Sequence, residues 1–307
     1  MKIAHLSDLH ISPLSRPENS DITRRLLNYA LEEGVEHIVV TGDLTDLARP
    51  DDFWEARKIF NDYGLLNPSK LTVIIGNHDI FGGVHLARDL IKYPTQCDAV
   101  NYNRKVHEFK SYFLETFENI YVADSAVIFP FIKPVGDLMF IGVNSIAQYS
   151  KLRNLFAAKG RIYKSQLTDL ETLLKKYGHD AKKRILLIHH HFNKQADTQF
   201  SSRQPMLKRI ELHANRLQYK RKLYRLMRKH NIDLTLHGHE HLSHQYNQRG
   251  FHFMNSGGCV DKIKPRQLIV NFIEYRGDKL ITEIRTINED KRANRHKILT
   301  DTLILND

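Results

Sequence analysis

Five short clusters hold most of the residues that could do chemistry: Ser7-Asp8-Leu9-His10, Gly42-Asp43, Gly76-Asn77-His78-Asp79, His189-His190-His191 and Gly238-His239-Glu240-His241. Their donor atoms are carboxylate and amide oxygens and imidazole nitrogens, with no thiolate. That set suits manganese, iron, zinc or magnesium better than a closed structural zinc site. Asp8 and His10 stand two residues apart, as do His239 and His241; on an extended backbone such pairs point the same way and can offer two ligands to one cavity. Asp8, His10, Asp43, Asn77, His189, His239 and His241 are too many ligands for one tetrahedral ion, but they suit two ions that share a carboxylate. Two divalent ions roughly 3.5 to 4 Å apart clamp a phosphoryl group and acidify a water between them. Asp43, at the end of a strand between the other clusters, is the natural shared ligand.

The runs before the clusters show how they are positioned. Lys2 to Leu6, Ile22 to Glu33, His37 to Thr41, Asp52 to Tyr63 and Leu71 to Ile75 alternate short β-rich stretches with longer amphipathic ones. This is a β-α-β-α-β pattern, which calls for a mainly parallel sheet with crossover helices. Each strand ends in one of the clusters, and the carboxyl ends of such strands are where open α/β sheets place their ligands. From Phe81 to Tyr121 the periodicity is poor, and residues 81–121 read as an insertion of loops and a helix that covers the edge of the site rather than building core. The pattern resumes with strands over Ala126 to Phe131 and Met139 to Val143, a helix over Lys164 to Tyr177, and strands over Arg184 to Ile188 and Ile232 to Leu236. Shorter strands follow near His252 to Met254, Gln267 to Glu274 and Leu280 to Thr286. Between them, Met206 to His230 has apolar residues at helical spacing and reads as one long helix. Residues 288–307 read as a charged C-terminal segment, loosely docked or exchanged with a partner.

The order Asp-x-His, Gly-Asp, Gly-Asn-His-Asp, His, Gly-His-x-His, complete between Asp8 and His241, resembles the signature of the calcineurin-like metallophosphoesterases. The resemblance implies a four-layer α/β/β/α sandwich over residues 1–287, with two divalent metal ions at the sheet ends. Asp8, His10 and His241 would then hold one ion and Asn77, His189 and His239 the other, with Asp43 shared. His78 would face the phosphate as a catalytic residue that stabilises or protonates the leaving oxygen, with Asp79 beside it. The stretch from Gly42 to Asp46, followed by Arg49-Pro50-Asp51-Asp52-Phe53, is similar to the branch that contains bacterial cyclic-nucleotide phosphodiesterases and glycerophosphodiesterases. That branch shows His-His-Pro-Pro where this chain has His189-His190-His191-Phe192, a departure that bears on substrate contacts and leaves His190 as one of them.

Composition sets the surroundings. The chain has 307 residues and a formal charge of +11, from 46 Lys and Arg against 35 Asp and Glu, which favours polyanionic partners such as a phosphate ester or nucleic acid. The helix over 208–229 carries much of this charge; it reads as a solvated face of a basic protein, with a nucleic-acid surface as the alternative. Cys97 and Cys259 stand far apart and form no framework, which fits a reducing cytoplasm. No apolar stretch approaches the roughly 18 residues of a membrane span, and a signal peptide is not expected at the N-terminus. His5 and His237 read as packed interior histidines. Hydrolysis of a small phosphodiester such as a cyclic nucleotide is the leading expectation. A nuclease acting on DNA or RNA, or a non-catalytic scaffold of the same fold, are its competitors.

Overall fold

The first strand, β1 (Lys2–Leu6), runs directly from the N-terminus into the core, and helix α1 (Pro17–Glu32) returns the chain to β2 (His37–Thr41) beside it. Pro17 starts α1, where its missing N–H costs nothing, and Thr23, Leu26, Leu27 and Ala30 form the buried stripe. Helix α2 (Pro50–Asp62) repeats the device and leads to β3 (Leu71–Ile74), parallel to β2. This computed structural model describes residues 1–84, 87–192, 217–257, 259–260, 267–290 and 295–305.

Three short helices follow: α3 (His78–Phe81), α4 (Ala87–Asp98) and α5 (Tyr102–Tyr112). The expected covering insertion differs in kind, because Phe109, Phe113 and Phe117 are buried in the main core and pack on Phe53, Phe60 and Phe131. Strands β4 (Tyr121–Val122), β5 (Phe131–Val135) and β6 (Leu138–Gly142) come next. The strand expected over Ala126 to Phe131 begins only at Phe131, since Pro130 has no N–H to give a ladder. Strand β7 (Gly160–Arg161), helix α6 (Lys164–Tyr177), β8 (Lys183–Leu187), β9 (Leu217–Gln218), helix α7 (Lys220–Lys229) and β10 (Leu234–His237) complete the crossovers. The long helix expected over Met206 to His230 is not continuous: its part before Leu217 lies outside the described residues, Leu217–Gln218 is a strand, and Tyr219 at φ 59° breaks the chain before α7.

The chain ends in β11 (Ser243–Gln248), β12 (Phe251–Ser256), β13 (Gln267–Arg276), β14 (Lys279–Asp290) and β15 (Arg295–Leu305). Residues 288–307 are therefore not a loose tail in their described part. Asn288 continues β14, and β15 pairs with β14 along its whole length. Thr300, Thr302 and the apolar residues of the run Ile298 to Leu305 have the β propensity that the charges before them concealed.

One sheet has the order β15-β14-β13-β1-β2-β3, and the other β11-β12-β10-β8-β6-β5-β4. In the second sheet Phe131, Leu138, Phe140, Ile185 and Leu187 join the core shared with the first sheet. Alternate residues Ile132, Met139, Ile141, Leu186 and Ile188 pack with the buried residues of α6 and α7. This period of two on strands that are apolar on both faces is what a doubly covered sheet requires. The layers are α1 and α2, the six-stranded sheet, the seven-stranded sheet, then α6 and α7, the α/β/β/α sandwich that the resemblance implied. His37 stacks on Phe140 across the two sheets, ring centroids 5.0 Å apart. No described helix is long and apolar enough to cross a membrane.

Candidate metal centre

Strands β1, β2 and β3 are parallel, and so are β6, β8, β10 and β12. All five clusters leave the carboxyl ends of β1, β2, β3, β8 and β10 and meet along one edge, drawing on both sheets. Backbone hydrogen bonds fasten the loops together: Asp8 N donates to Gly42 O at 3.0 Å, His10 N to Asp43 O at 3.0 Å and Gly238 N to His189 O at 3.1 Å. The side chains converge by a route other than strand alternation. Asp8 (φ 54°), His10 (45°), Asp43 (51°), His239 (72°) and His241 (49°) all occupy the left-handed region. That region costs an L-residue roughly 1–2 kcal/mol. Gly42, at φ 98°, could bear no side chain at all, because a Cβ there would stand 2.6 Å from His189 Nδ1.

The expected ligands fall into two groups. His189 Nδ1 donates to Thr41 O at 2.8 Å, which leaves Nε2 with its lone pair facing inward. That nitrogen lies 3.1 Å from Asn77 Oδ1, 3.2 Å from His239 Nδ1 and 3.3 Å from Asp43 Oδ2. In the neutral ring it thus faces two oxygens that, like itself, only accept, and a proton or a shared metal cation resolves such a cluster. The other group is Asp8, His10 and His241, with His10 Nε2 3.9 Å and His241 Nε2 3.7 Å from Asp8 Oδ1. Asp43 Oδ2 lies between the groups, 4.0 Å from His10 Nε2 as well as 3.3 Å from His189 Nε2. His10 Nε2, Asp43 Oδ2 and His239 Nε2 are buried without a hydrogen-bond partner among the described residues. Within Asp8-His10-His241, and within Asp43-His189-His239, the ligand atoms lie inside 4.8 Å of one another. Burial opposes a charge on His189, yet the Asp43 and Asp8 carboxylates raise it to about 9. The field in the cluster favours a cation.

His78 stands at the mouth, 21% exposed, with Nδ1 donating to Asp46 O at 3.0 Å and its backbone N–H donating to Asp43 Oδ1 at 2.8 Å. Burial lowers its basicity, but Asp43 and Asp46 outweigh that and lift it to about 9. Asp46 has a role that the reading of the sequence missed: its Oδ1 lies 3.5 Å from Nδ1 of both His10 and His78, which holds their Nε2 atoms toward the centre. The Gly-Asp-x-x-Asp spacing from Gly42 was the available signal.

Two expected site residues sit elsewhere than foreseen. Asp79 is fully buried, and its carboxylate accepts from Thr45 N, Thr45 Oγ1 and Gly76 N at 2.9, 3.0 and 2.8 Å. It ties two loops together and does not face the cavity. His190, expected at the substrate, is also fully buried; Nε2 donates to Ala158 O at 3.1 Å and Nδ1 accepts from Ser145 Oγ at 2.8 Å. Neither ring nitrogen remains for a ligand. His5 and His237 are interior, hydrogen-bonded to Thr41 Oγ1 and Tyr246 OH at 2.9 Å each. The Gly257 backbone lies against His241, where a Cβ would stand 2.7 Å from its nitrogen.

The sequence profile of the calcineurin-like phosphoesterases matches residues 1–243, a span that contains every cluster. The chain belongs to the calcineurin-like phosphoesterase family. Among solved structures, a dimetal phosphatase from Danio rerio is similar in fold at a TM-score of 0.58 and 12% identity, over 99% of this chain and 98% of that one. GAP50, the anchor in the inner membrane complex of Plasmodium, is similar at a TM-score of 0.49 and 14% identity, over 100% of this chain and 89% of that one. At 12% identity the likeness to the phosphatase is one of fold. No curated protein sequence matches the chain. Metal-dependent hydrolysis of phosphate esters is the chemistry that the family brings, and the carboxylate–imidazole groups above are where this phosphoesterase can hold metal.

Proposed function

We propose that this calcineurin-like phosphoesterase is a dinuclear phosphodiesterase that hydrolyses a small phosphodiester, such as a cyclic nucleotide. The observation that carries the reading is the position of Asp43 Oδ2, 4.0 Å from His10 Nε2 on one side and 3.3 Å from His189 Nε2 on the other. Asp8, His10 and His241 would hold one divalent ion, Asn77, His189 and His239 the other, and Asp43 both. The oxygen and nitrogen donors, buried and, among the described residues, lacking hydrogen-bond partners at His10 Nε2, Asp43 Oδ2 and His239 Nε2, fit manganese, iron or zinc, with magnesium a further option. When bound, such ions supply positive charge for the phosphoryl oxygens and acidity for the attacking water.

The chain's own residues do the rest. Asp46 and the backbone hold His78 with Nε2 toward the cavity, so that it can give a proton to the departing ester oxygen. Asp79 positions the loop that presents Asn77 and His78 by binding Gly76 N and Thr45. The resemblance of the Gly42 to Phe53 stretch to the cyclic-nucleotide and glycerophosphodiester branch supports the choice of a diester. Cys97 and Cys259, buried thiols and not a disulfide, support a reducing cytoplasm as the location.

Hydrolysis of an aryl phosphodiester and its monoester counterpart, with manganese and after chelation, tests this reading. Diesterase activity that needs metal and vanishes in Asp43→Ala is the expected result. A strong monoester preference would replace the diesterase by a phosphatase. Failure to bind any divalent ion would leave a scaffold of the same fold.

A further inference from the structure

The seven-stranded sheet carries a second feature on the edge where the metal centre lies. The crossovers from β6 to β8 and from β8 to β10 join parallel strands, so α6 and α7 both begin at the carboxyl edge. Just before them β7 and β9 pair in parallel, Gly160 with Leu217 and Arg161 with Gln218, which sets the two helix starts side by side. Between them is a cavity of about 680 Å³. Gly160, next in the chain to the lining residue Arg161, lies close to the centre: a Cβ there would stand 2.6 Å from the His190 ring, and that ring is 4.4 Å from the ring of His239.

Arg161, Lys164, Arg221, Lys222, Arg225 and Arg249 line the cavity, and none of the described lining residues is acidic. Neither α6 nor α7 has an acidic residue in its first turn. Among the described residues, Glu171 pairs with Lys229 at the far end of α7. Same-sign charge is thus gathered at one place where surface pairs would ordinarily disperse it. Aromatic rings are interleaved with it. The Arg161 guanidinium lies 5.0 Å from the centroids of both Tyr163 and Tyr219, and Arg249 lies 5.2 Å from Tyr224. Tyr219 is 66% exposed and held at φ 59°, a left-handed conformation that holds a large ring at the rim.

Cations alone would suit any anion, but rings and guanidinium planes set among them offer faces on which bases stack. We propose that this cleft binds single-stranded nucleic acid, phosphates toward the cations and a base on Tyr219. The binding goes beyond the proposed hydrolysis and does not depend on it.

The test is fluorescence anisotropy of a short labelled single strand, with chelator present so that no hydrolysis intervenes. Three variants are compared with wild type: Tyr219→Ala, the pair Arg221→Glu with Lys222→Glu, and a control pair, Arg276→Glu with Lys279→Glu, at the opposite edge. Matching urea midpoints establish that all are folded. Wild-type binding should weaken steeply between about 50 and 200 mM salt. The cleft pair should lose at least about tenfold in affinity and flatten the salt slope, the control pair much less. Tyr219→Ala should cost about fivefold or more, the scale of one lost base stack. Equal losses in the two charge pairs would mean diffuse attraction to a basic protein and would overturn the proposal. So would an unchanged Tyr219→Ala, or equally tight binding of the matching duplex.

Discussion

His78 and Asp79 are neighbours in sequence with separate tasks, and single substitutions should part them. His78→Ala removes the proposed proton donor at the mouth of the centre, so kcat should fall by about 10²- to 10⁴-fold while metal content, read by elemental analysis, stays at the wild-type level. Asp79→Ala leaves Thr45 N, Thr45 Oγ1 and Gly76 N without their acceptor in a fully buried place. At about 1–3 kcal/mol for each orphaned group, the urea midpoint should drop sharply, and kcat per folded molecule should change less than in His78→Ala. A larger effect on kcat than on stability would reverse these assignments. The sequence made the ligand clusters legible because each follows a buried strand and its residue types have few other uses together. It took His189 as a ligand, but it could not tell that His190 beside it is closed off from the substrate. Adjacent residues at a strand end point to opposite sides, and only the packing of Ser145 and Ala158 around His190 decides which ring is enclosed.

In the left-handed turns after β1, β2 and β10, Gly42 aside, the positive-φ positions fall on Asp8, His10, Asp43, His239 and His241, so their strain is carried by residues that would hold the ions. Nothing in residue type announces this. The sequence located the strands and the polar clusters that follow them, while the turn geometry that aims the clusters became visible only in the structure. The same limit explains Tyr219, whose φ of 59° splits an apparently continuous helical pattern, and β15, whose pairing with β14 is a contact that local periodicity does not encode. The strand pair β2–β3 offers a pH prediction. His37 Nδ1 donates to Ser69 O at 2.7 Å and Nε2 accepts from Thr72 Oγ1 at 2.8 Å, and burial lowers its pKa to about 4. With its folded value below the unfolded one of about 6.5, the unfolded state takes the proton first. Stability should therefore be fully present above pH 6.5 and fall as pH drops through that value towards 4, by about 3 kcal/mol in all. Urea midpoints at pH 7 and 5 should differ less in His37→Gln than in wild type; an equal difference would remove His37 from the account.

At the scale of the whole molecule, the centre lies across the join between the two sheets: Asp8, Asp43 and Asn77 follow strands of one sheet, and His189, His239 and His241 follow strands of the other. An ion bound there ties the two halves of the sandwich. Free metal at a hundred times Kd should add about 2.7 kcal/mol of apparent stability, and calorimetry with manganese and after chelation should show the transition move up and back. The gain should largely disappear in Asp43→Ala, and a metal-induced shift of wild-type size in that variant would place the ion elsewhere. The sheet order has a further consequence, for synthesis. Among the described strands β1 is made before the others, and it lies between β2 and β13. One of its flanks can be paired once β2 has been made, but the other waits for β13, which begins only at Gln267. Until β13 is made the nascent protein therefore carries an open apolar strand edge, and until His241 is made it also has only part of its candidate ligand set, a state in which a chaperone would have reason to hold it.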